Sequence, residues 1–152
     1  MIDKPVRDLL KYTKFPGMKV LQFAFDPESD SEYLPHKYNK NCVAYIGTHD
    51  NATLAGWLDT ADKKEVDFAR EYLRLKNLCT CDEKREVIKC LMATVADVSI
   101  ITMQDILGLD NRARMNVPSR ADGNWQWRLM LNWVFFDETA DWIKKITQTY
   151  GR

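Results

Sequence analysis

Three short apolar runs in this chain have the length and composition of buried β-strands, and that number limits what it can build. Residues 18–25 (MKVLQFAF) are almost continuously apolar. Residues 42–47 (CVAYIG) and 98–103 (VSIITM) are shorter and richer in β-branched and aromatic side chains. Runs of this kind, without polar alternation, suit parallel strands covered on both faces. Between them lie segments of helical period. Strands separated by helices imply βαβ units and a parallel sheet, hence an α/β fold. A closed (β/α)₈ barrel needs eight such strands and about 250 residues. The chain of 152 residues is therefore expected to be either a small open α/β domain or part of a barrel, folded as one domain over 1–152.

The helical segments can be read from spacing. Val6, Leu9, Leu10 and Tyr12 share one face, Asp3 stands where a cap would, and Pro16-Gly17 ends the pattern. A short helix is expected over 53–58. Asp62 and Glu65 have capping-box spacing ahead of Val66, Ala69 and Leu73, with Phe68, Tyr72 and Leu75 broadening the apolar face. Val87, Ile88, Leu91, Met92 and Val95 mark another helix. The last runs over 133–150, from Trp133 to Tyr150, with Trp142, Ile143 and Ile146 on its apolar side. Residues 26–41 and 108–124 read as loop and turns.

Composition excludes several functions. Lys plus Arg equals Asp plus Glu, so no charge excess favours nucleic acid or an anionic membrane. No apolar run approaches the roughly 18 residues of a bilayer span, and the opening residues MIDKPVRDLL lack the apolar stretch of a signal peptide. A cytoplasmic protein is expected. Of the four cysteines, Cys79 and Cys81 form a C-x-C pair, but His36 and His49, the two histidines present, lie far upstream. Without a second pair or histidines at ligand spacing, free thiols, no metal and no cofactor are expected.

Two segments carry side chains suited to chemistry. In 45–51 (YIGTHDN) an apolar strand ends at Gly47, and His49, Asp50 and Asn51 follow. Functional groups of parallel α/β folds gather at the carboxyl ends of strands. Two readings stand: these residues face a ligand, or Asp50 or Asn51 merely caps the next helix. A His-Asp pair also resembles the metal sites of phosphohydrolases, but those need further histidines. The second segment, 104–128, holds Gln104, Asp105, Asn116, Asn124, Trp125, Trp127 and several arginines. Indoles and planar amides suit sugar rings, yet tryptophan is most often largely buried, so composition favours Trp125 and Trp127 as core anchors.

Taken together, GMKVLQFAF (17–25), YLPH (33–36), YIGTHDN (45–51), QDILGL (104–109), ARMNVP (113–118) and GNWQWR (123–128) resemble, in order, the 4-α-glucanotransferases of the amylomaltase type, glycoside hydrolase family 77. The resemblance covers essentially the whole chain and is weakest in the helical middle. It implies the C-terminal part of a (β/α)₈ barrel, about strands six to eight with their helices. It also implies transfer of α-1,4-glucan segments between maltooligosaccharides with retention of configuration. Retention needs a carboxylate nucleophile and a second carboxyl group acting as acid and then base.

By this resemblance Asp50 is the third carboxylate, which stabilises the transition state by gripping sugar hydroxyls. His49 is its substrate-binding neighbour, Phe23 lines the sugar site at the end of the sixth strand, and Asn124 contributes from the last loop. The family's nucleophile, and its acid/base in a Glu-Asp-Leu-Gly segment, have no counterpart among the 152 residues. The chain is thus expected to be inactive alone and to self-associate through unpaired barrel edges. The alternative is a non-catalytic α-glucan-binding module. Two positions depart from the family pattern: Ala52 replaces an acidic residue and Ser119 replaces glycine.

Overall fold

In the computed structural model, which describes residues 3–75, 77–130 and 137–152, the three apolar runs form one parallel sheet in the order β1-β2-β3. Strand β1 is Gly17–Val20, β2 is Cys42–Tyr45 and β3 is Val98–Ile100. The register pairs Met18 with Val43 and Val43 with Val98, and it pairs Val20 with Tyr45 and Tyr45 with Ile100. Helices α1 (Lys4–Thr13), α2 (Leu54–Thr60), α3 (Lys63–Tyr72), α4 (Thr80–Met92), α5 (Met103–Ile106) and α6 (Asp137–Thr149) surround and follow the strands. No helix of the described residues is long and apolar enough to cross a membrane.

The strands are shorter than the apolar runs that announce them. The run at 18–25 leaves the sheet after Val20 and winds into a 3₁₀ turn, Leu21–Phe23. Its ladder partner ends at Tyr45, so extended backbone beyond Val20 would have nothing to pair with; one further bond, Gln22 N to Ile46 O, closes the edge. The run at 98–103 likewise ends as a strand at Ile100, and Met103 opens α5, capped by the Thr102 hydroxyl. Val95, expected on α4, lies past its C-terminus and is exposed. Asp3 stands at the N-cap of α1, but its side chain makes no capping bond. Trp133 falls outside the described residues, whereas Trp142, Ile143 and Ile146 lie on α6 and pack on the core as expected.

Because side chains alternate along strands, the register places Met18, Val20, Val43, Tyr45, Val98 and Ile100 on one face of the sheet. Cys42 and Ala44, on the other face, are completely buried. The first face is the more apolar, yet Met18, Val98 and Ile100 are 56%, 45% and 43% exposed. The expectation of strands covered on both faces therefore holds for one face and only in part for the other, where Val20 is buried and Val43 and Tyr45 are half-buried.

The covered side packs around Phe25, whose ring lies 5.8 Å from Trp57, 6.3 Å from Phe68 and 5.9 Å from Tyr72. Aromatic pairs at such distances add about 0.5–1.5 kcal/mol each beyond the area they bury. Val87, Ile88, Leu91 and Met92 bury the inner face of α4. Its buried Glu83 takes a bidentate pair from Arg70 of α3, at 2.8 and 3.2 Å. Helix α6 adds Ile146 to the core and sets Trp142 beneath Arg85. Arg152 donates to the carbonyls of Met92, Thr94 and Ala96, satisfying backbone acceptors at and beyond the end of α4. The four cysteines are free thiols.

Candidate functional site

Strand β2 ends in a tight loop that turns His49 and Asp50 outward. Gly47 permits it: a Cβ there would stand 2.9 Å from Gln22 Nε2 and 3.1 Å from Asn51 Cβ. Asn51 then locks the loop, its Oδ1 accepting from Thr48 N at 2.9 Å and from Thr48 Oγ1 at 2.8 Å. The Gln22 amide donates to Ala52 O at 2.9 Å, tying the loop after β2 to the 3₁₀ turn after β1. Ala52, the first departure, offers this backbone carbonyl and packs its methyl group against the core.

The cap of α2 is neither Asp50 nor Asn51. Thr53 performs it, accepting from Gly56 N at 3.1 Å. Of the two readings left open, capping is therefore excluded for Asp50, whose carboxylate is free for another role. Its side chain is 48% exposed and lies 3.2 Å from Nε2 of His49, itself 55% exposed.

The long loop after α5 closes over this pair. Asn116 donates its side-chain amide to Asp50 Oδ1 at 2.6 Å, and its backbone N–H to His49 O at 3.1 Å. Arg114 holds the same two elements together by donating to Asp50 O and, from Nε, to Asn116 O at 2.9 Å. Trp125 donates its backbone N–H to Met115 O at 2.7 Å and brings its indole to 5.0 Å from the His49 ring. The indole is 55% exposed, so Trp125 is no core anchor; Trp127 is half-buried. An exposed indole beside an imidazole, a carboxylate and an amide offers an apolar platform flanked by hydrogen-bonding groups.

Beneath the surface, Asp105 is almost fully buried and accepts Leu54 N at 2.6 Å at the start of α2. Desolvation pushes its carboxyl above the ordinary range, against the opposing effect of that hydrogen bond. Gln104, also buried, donates to Ala113 O at 3.2 Å. Both residues brace the floor of a shallow cleft that His49, Thr53 and Arg114 also line.

The other two expected residues lie differently. Phe23 ends the 3₁₀ turn after β1, is 53% exposed and meets Tyr33 edge-on at 5.9 Å. Among the described residues no hydrogen bond or ring contact joins it to the Asp50 cluster. Asn124 spends its amide on its own loop: Oδ1 accepts from Val117 N at 2.9 Å, and Nδ2 donates to the carbonyls of Val117 and Arg120. Ser119, the second departure, sits in the loop so held with φ at 66°, the left-handed region that glycine enters at least cost.

Sequence reasoning counted Asn116 among the amides of a loop suited to sugar rings, but linked neither it nor Arg114 to Asp50. Both lie in a motif quoted for the resemblance, but Asn116 is separated from Asp50 by 66 positions. Only folding brings them together.

Comparison with known proteins bears on the chain as a whole. The family model described as 4-alpha-glucanotransferase matches residues 1–132. A 4-alpha-glucanotransferase of Clostridium butyricum is 49% identical over 145 residues, covering 93% of this chain and 29% of that protein. The chloroplastic/amyloplastic 4-alpha-glucanotransferase of Solanum tuberosum is 40% identical, covering 100% of this chain and 26% of that one. Among solved structures, the amylomaltase from Streptococcus agalactiae in complex with acarbose superimposes with a TM-score of 0.90 at 38% identity, over 100% of this chain and 30% of that one. The chain thus spans between a quarter and a third of the length of these relatives.

Proposed function

The chain belongs to the 4-alpha-glucanotransferase family, and from that premise we propose that its 152 residues form one unit contributing part of a glucan-transfer site. The fold is part of a (β/α)₈ barrel, and β1, β2 and β3 are taken as its sixth, seventh and eighth strands. The reaction is transfer of an α-1,4-glucan segment from one maltooligosaccharide to another with retention. A nucleophilic carboxylate attacks the anomeric carbon while an acid protonates the departing glycosidic oxygen. The same group then deprotonates the acceptor hydroxyl as it displaces the carboxylate.

The observation that carries this reading is the Asp50 carboxylate at the end of β2. Asn116 fixes one of its oxygens, His49 and the exposed Trp125 indole stand beside it, and it is free of any capping duty. Asp50 would accept hydrogen bonds from sugar hydroxyls, and those bonds strengthen as the ring flattens toward the oxocarbenium-like state. His49 would bind and orient the sugar, Trp125 and Phe23 would offer it apolar surfaces, and Asn124 would contribute by holding the loop that carries Trp125. A cytoplasmic location belongs to the same reading, supported by the free thiols.

Neither the nucleophile nor the Glu-Asp-Leu-Gly acid of the family occurs in these 152 residues, so by themselves they are expected to turn over no glucan. The alternative of an α-glucan-binding module rests on Trp125, Asn116 and Asp50 being held in place by contacts within the chain. Incubation with maltotriose, with product analysis, tests the first statement. Calorimetric titration with acarbose, the ligand of the Streptococcus agalactiae amylomaltase, tests the second. Disproportionation of maltotriose that Asp50→Asn abolishes would show a complete catalytic set in this chain and overturn the assignment of roles.

A further inference from the structure

A second cluster of reactive side chains opens α4, on a different element from the Asp50 group. Cys79 occupies the N-cap position with an extended backbone and makes no side-chain capping bond. Cys81 and Asp82 follow in the first turn. Their side chains converge: Cys79 Sγ lies 2.8 Å from Cys81 Sγ and 3.0 Å from Asp82 Oδ2, and Cys81 Sγ lies 3.9 Å from Asp82 Oδ1. One ligand atom from each residue fits within 4.8 Å of the others, and all three residues are exposed. We propose that Cys79, Cys81 and Asp82 form a binding site for a soft divalent cation of the zinc or cadmium class, with water completing the coordination.

The donor set selects the ion. Two thiolates favour zinc or cadmium over magnesium or calcium, which prefer oxygen shells. Three protein ligands leave one tetrahedral position for water. Sulfurs bound tetrahedrally at about 2.3 Å from zinc stand roughly 3.7 Å apart. The pair therefore has to open by about 1 Å from its 2.8 Å separation, which small rotations of two exposed side chains supply. Asp82 argues for a cation over a simple dithiol: its carboxylate faces both sulfurs, a placement that a disulfide has no use for. The search for a second cysteine pair or a histidine overlooked it, because a neighbouring aspartate is too common to stand out in sequence.

The test uses the complete chain, reduced and kept under argon. Cadmium is added and the thiolate-to-cadmium charge-transfer absorption followed, with zinc measured by competition against a chromophoric chelator. Roughly one cadmium per chain is expected. Cys79→Ser and Cys81→Ser should each weaken uptake at least about a hundredfold and Asp82→Asn about tenfold. Cys90→Ser should leave it unchanged, and circular dichroism should give every variant the same helix content. Uptake by the doubly serine-substituted chain equal to that of the parent overturns the site, as does a reduced parent that shows no band. A pair that closes to a disulfide with oxidised glutathione, while its reduced form takes up no cation, is a redox pair and overturns it too.

Discussion

Asn116 and Asp50, 66 positions apart in the chain, are joined by an amide-to-carboxylate hydrogen bond of 2.6 Å. A hydrogen bond to a charged group contributes about 1.5–3 kcal/mol. Here it fixes which way the carboxylate faces. In a 4-alpha-glucanotransferase that carries these residues, and under the proposed reading, Asn116→Ala should lower kcat about ten- to a hundredfold with a smaller change in KM, since misorientation matters most when charge develops on the sugar. Asp50→Ala should lower kcat further, and His49→Ala less. Steady-state kinetics on maltotriose check this; an unchanged kcat in Asp50→Ala would remove the carboxylate from the chemistry.

Ser119 holds a left-handed backbone at φ 66°. Replacing a non-glycine residue by glycine in that region relieves about 1–2 kcal/mol of steric cost, less the roughly 0.5–1 kcal/mol that glycine loses in chain entropy. Ser119→Gly should therefore raise stability by up to about 1.5 kcal/mol. Gly123 supplies the converse: its φ is 79° with no atom within 4 Å of an added Cβ, so Gly123→Ala should destabilise through backbone strain alone. Urea denaturation of the two variants gives the signs.

Burial raises the Asp105 carboxyl above its ordinary value of 3.8. The folded chain then holds this proton more tightly than the unfolded chain. The resulting contribution is most favourable below 3.8 and declines as pH rises from there through the raised folded value. Asp105→Asn keeps an oxygen for Leu54 N, removes the buried charge and should flatten that decline. Asp105→Ala strands the buried Leu54 N–H and should cost about 1–3 kcal/mol at all pH values. Denaturation midpoints across the acid range distinguish them, and a pH dependence unaltered in Asp105→Asn would sink the argument.

Strands β1 and β3 each have one unpaired edge among the described residues, and the face bearing Met18, Val98 and Ile100 is open. Helix α1 adds exposed Val6, Leu9 and Leu10. Unpaired edges and apolar patches attract one another, and zero net charge offers little repulsion. The 152 residues on their own should self-associate, with a mean mass in sedimentation or light scattering that rises with concentration. A monomer at every concentration reached would show that these surfaces are not adhesive.

The parallel sheet was legible because each strand was written as an apolar run, and the helices because Val87, Ile88 and Leu91 repeat at helical spacing. The strand ends were not legible. Leu21 and Ile101 are as apolar as their neighbours, and what stops the ladder is the length of β2, a property of the partner. Which face of the sheet is covered was hidden for a similar reason: apolarity marks Met18 and Val98 for burial, and the described residues leave both exposed. In the candidate site, the strand-end rule pointed to His49 and Asp50, which the fold sets beside Asn116 and Trp125. The roles of Thr53, Arg114 and Asn116 depend on contacts over distances that no local pattern encodes. Trp125 misled in the other direction, since a tryptophan in the open is the exception.

Gln22 gives the site a mechanical property. Its backbone N–H is fastened to Ile46 O and its side chain to Ala52 O, so one residue of the turn after β1 holds the segment after β2 at two points, before and after Gly47. Phe23 is the next residue along that turn, and Asp50 stands two before Ala52 in that segment. These two fastenings are expected to limit how far the Phe23 and Asp50 backbones shift relative to one another. Under the proposed reading, Phe23 and Asp50 would therefore meet a sugar as one unit rather than adapt to it one at a time.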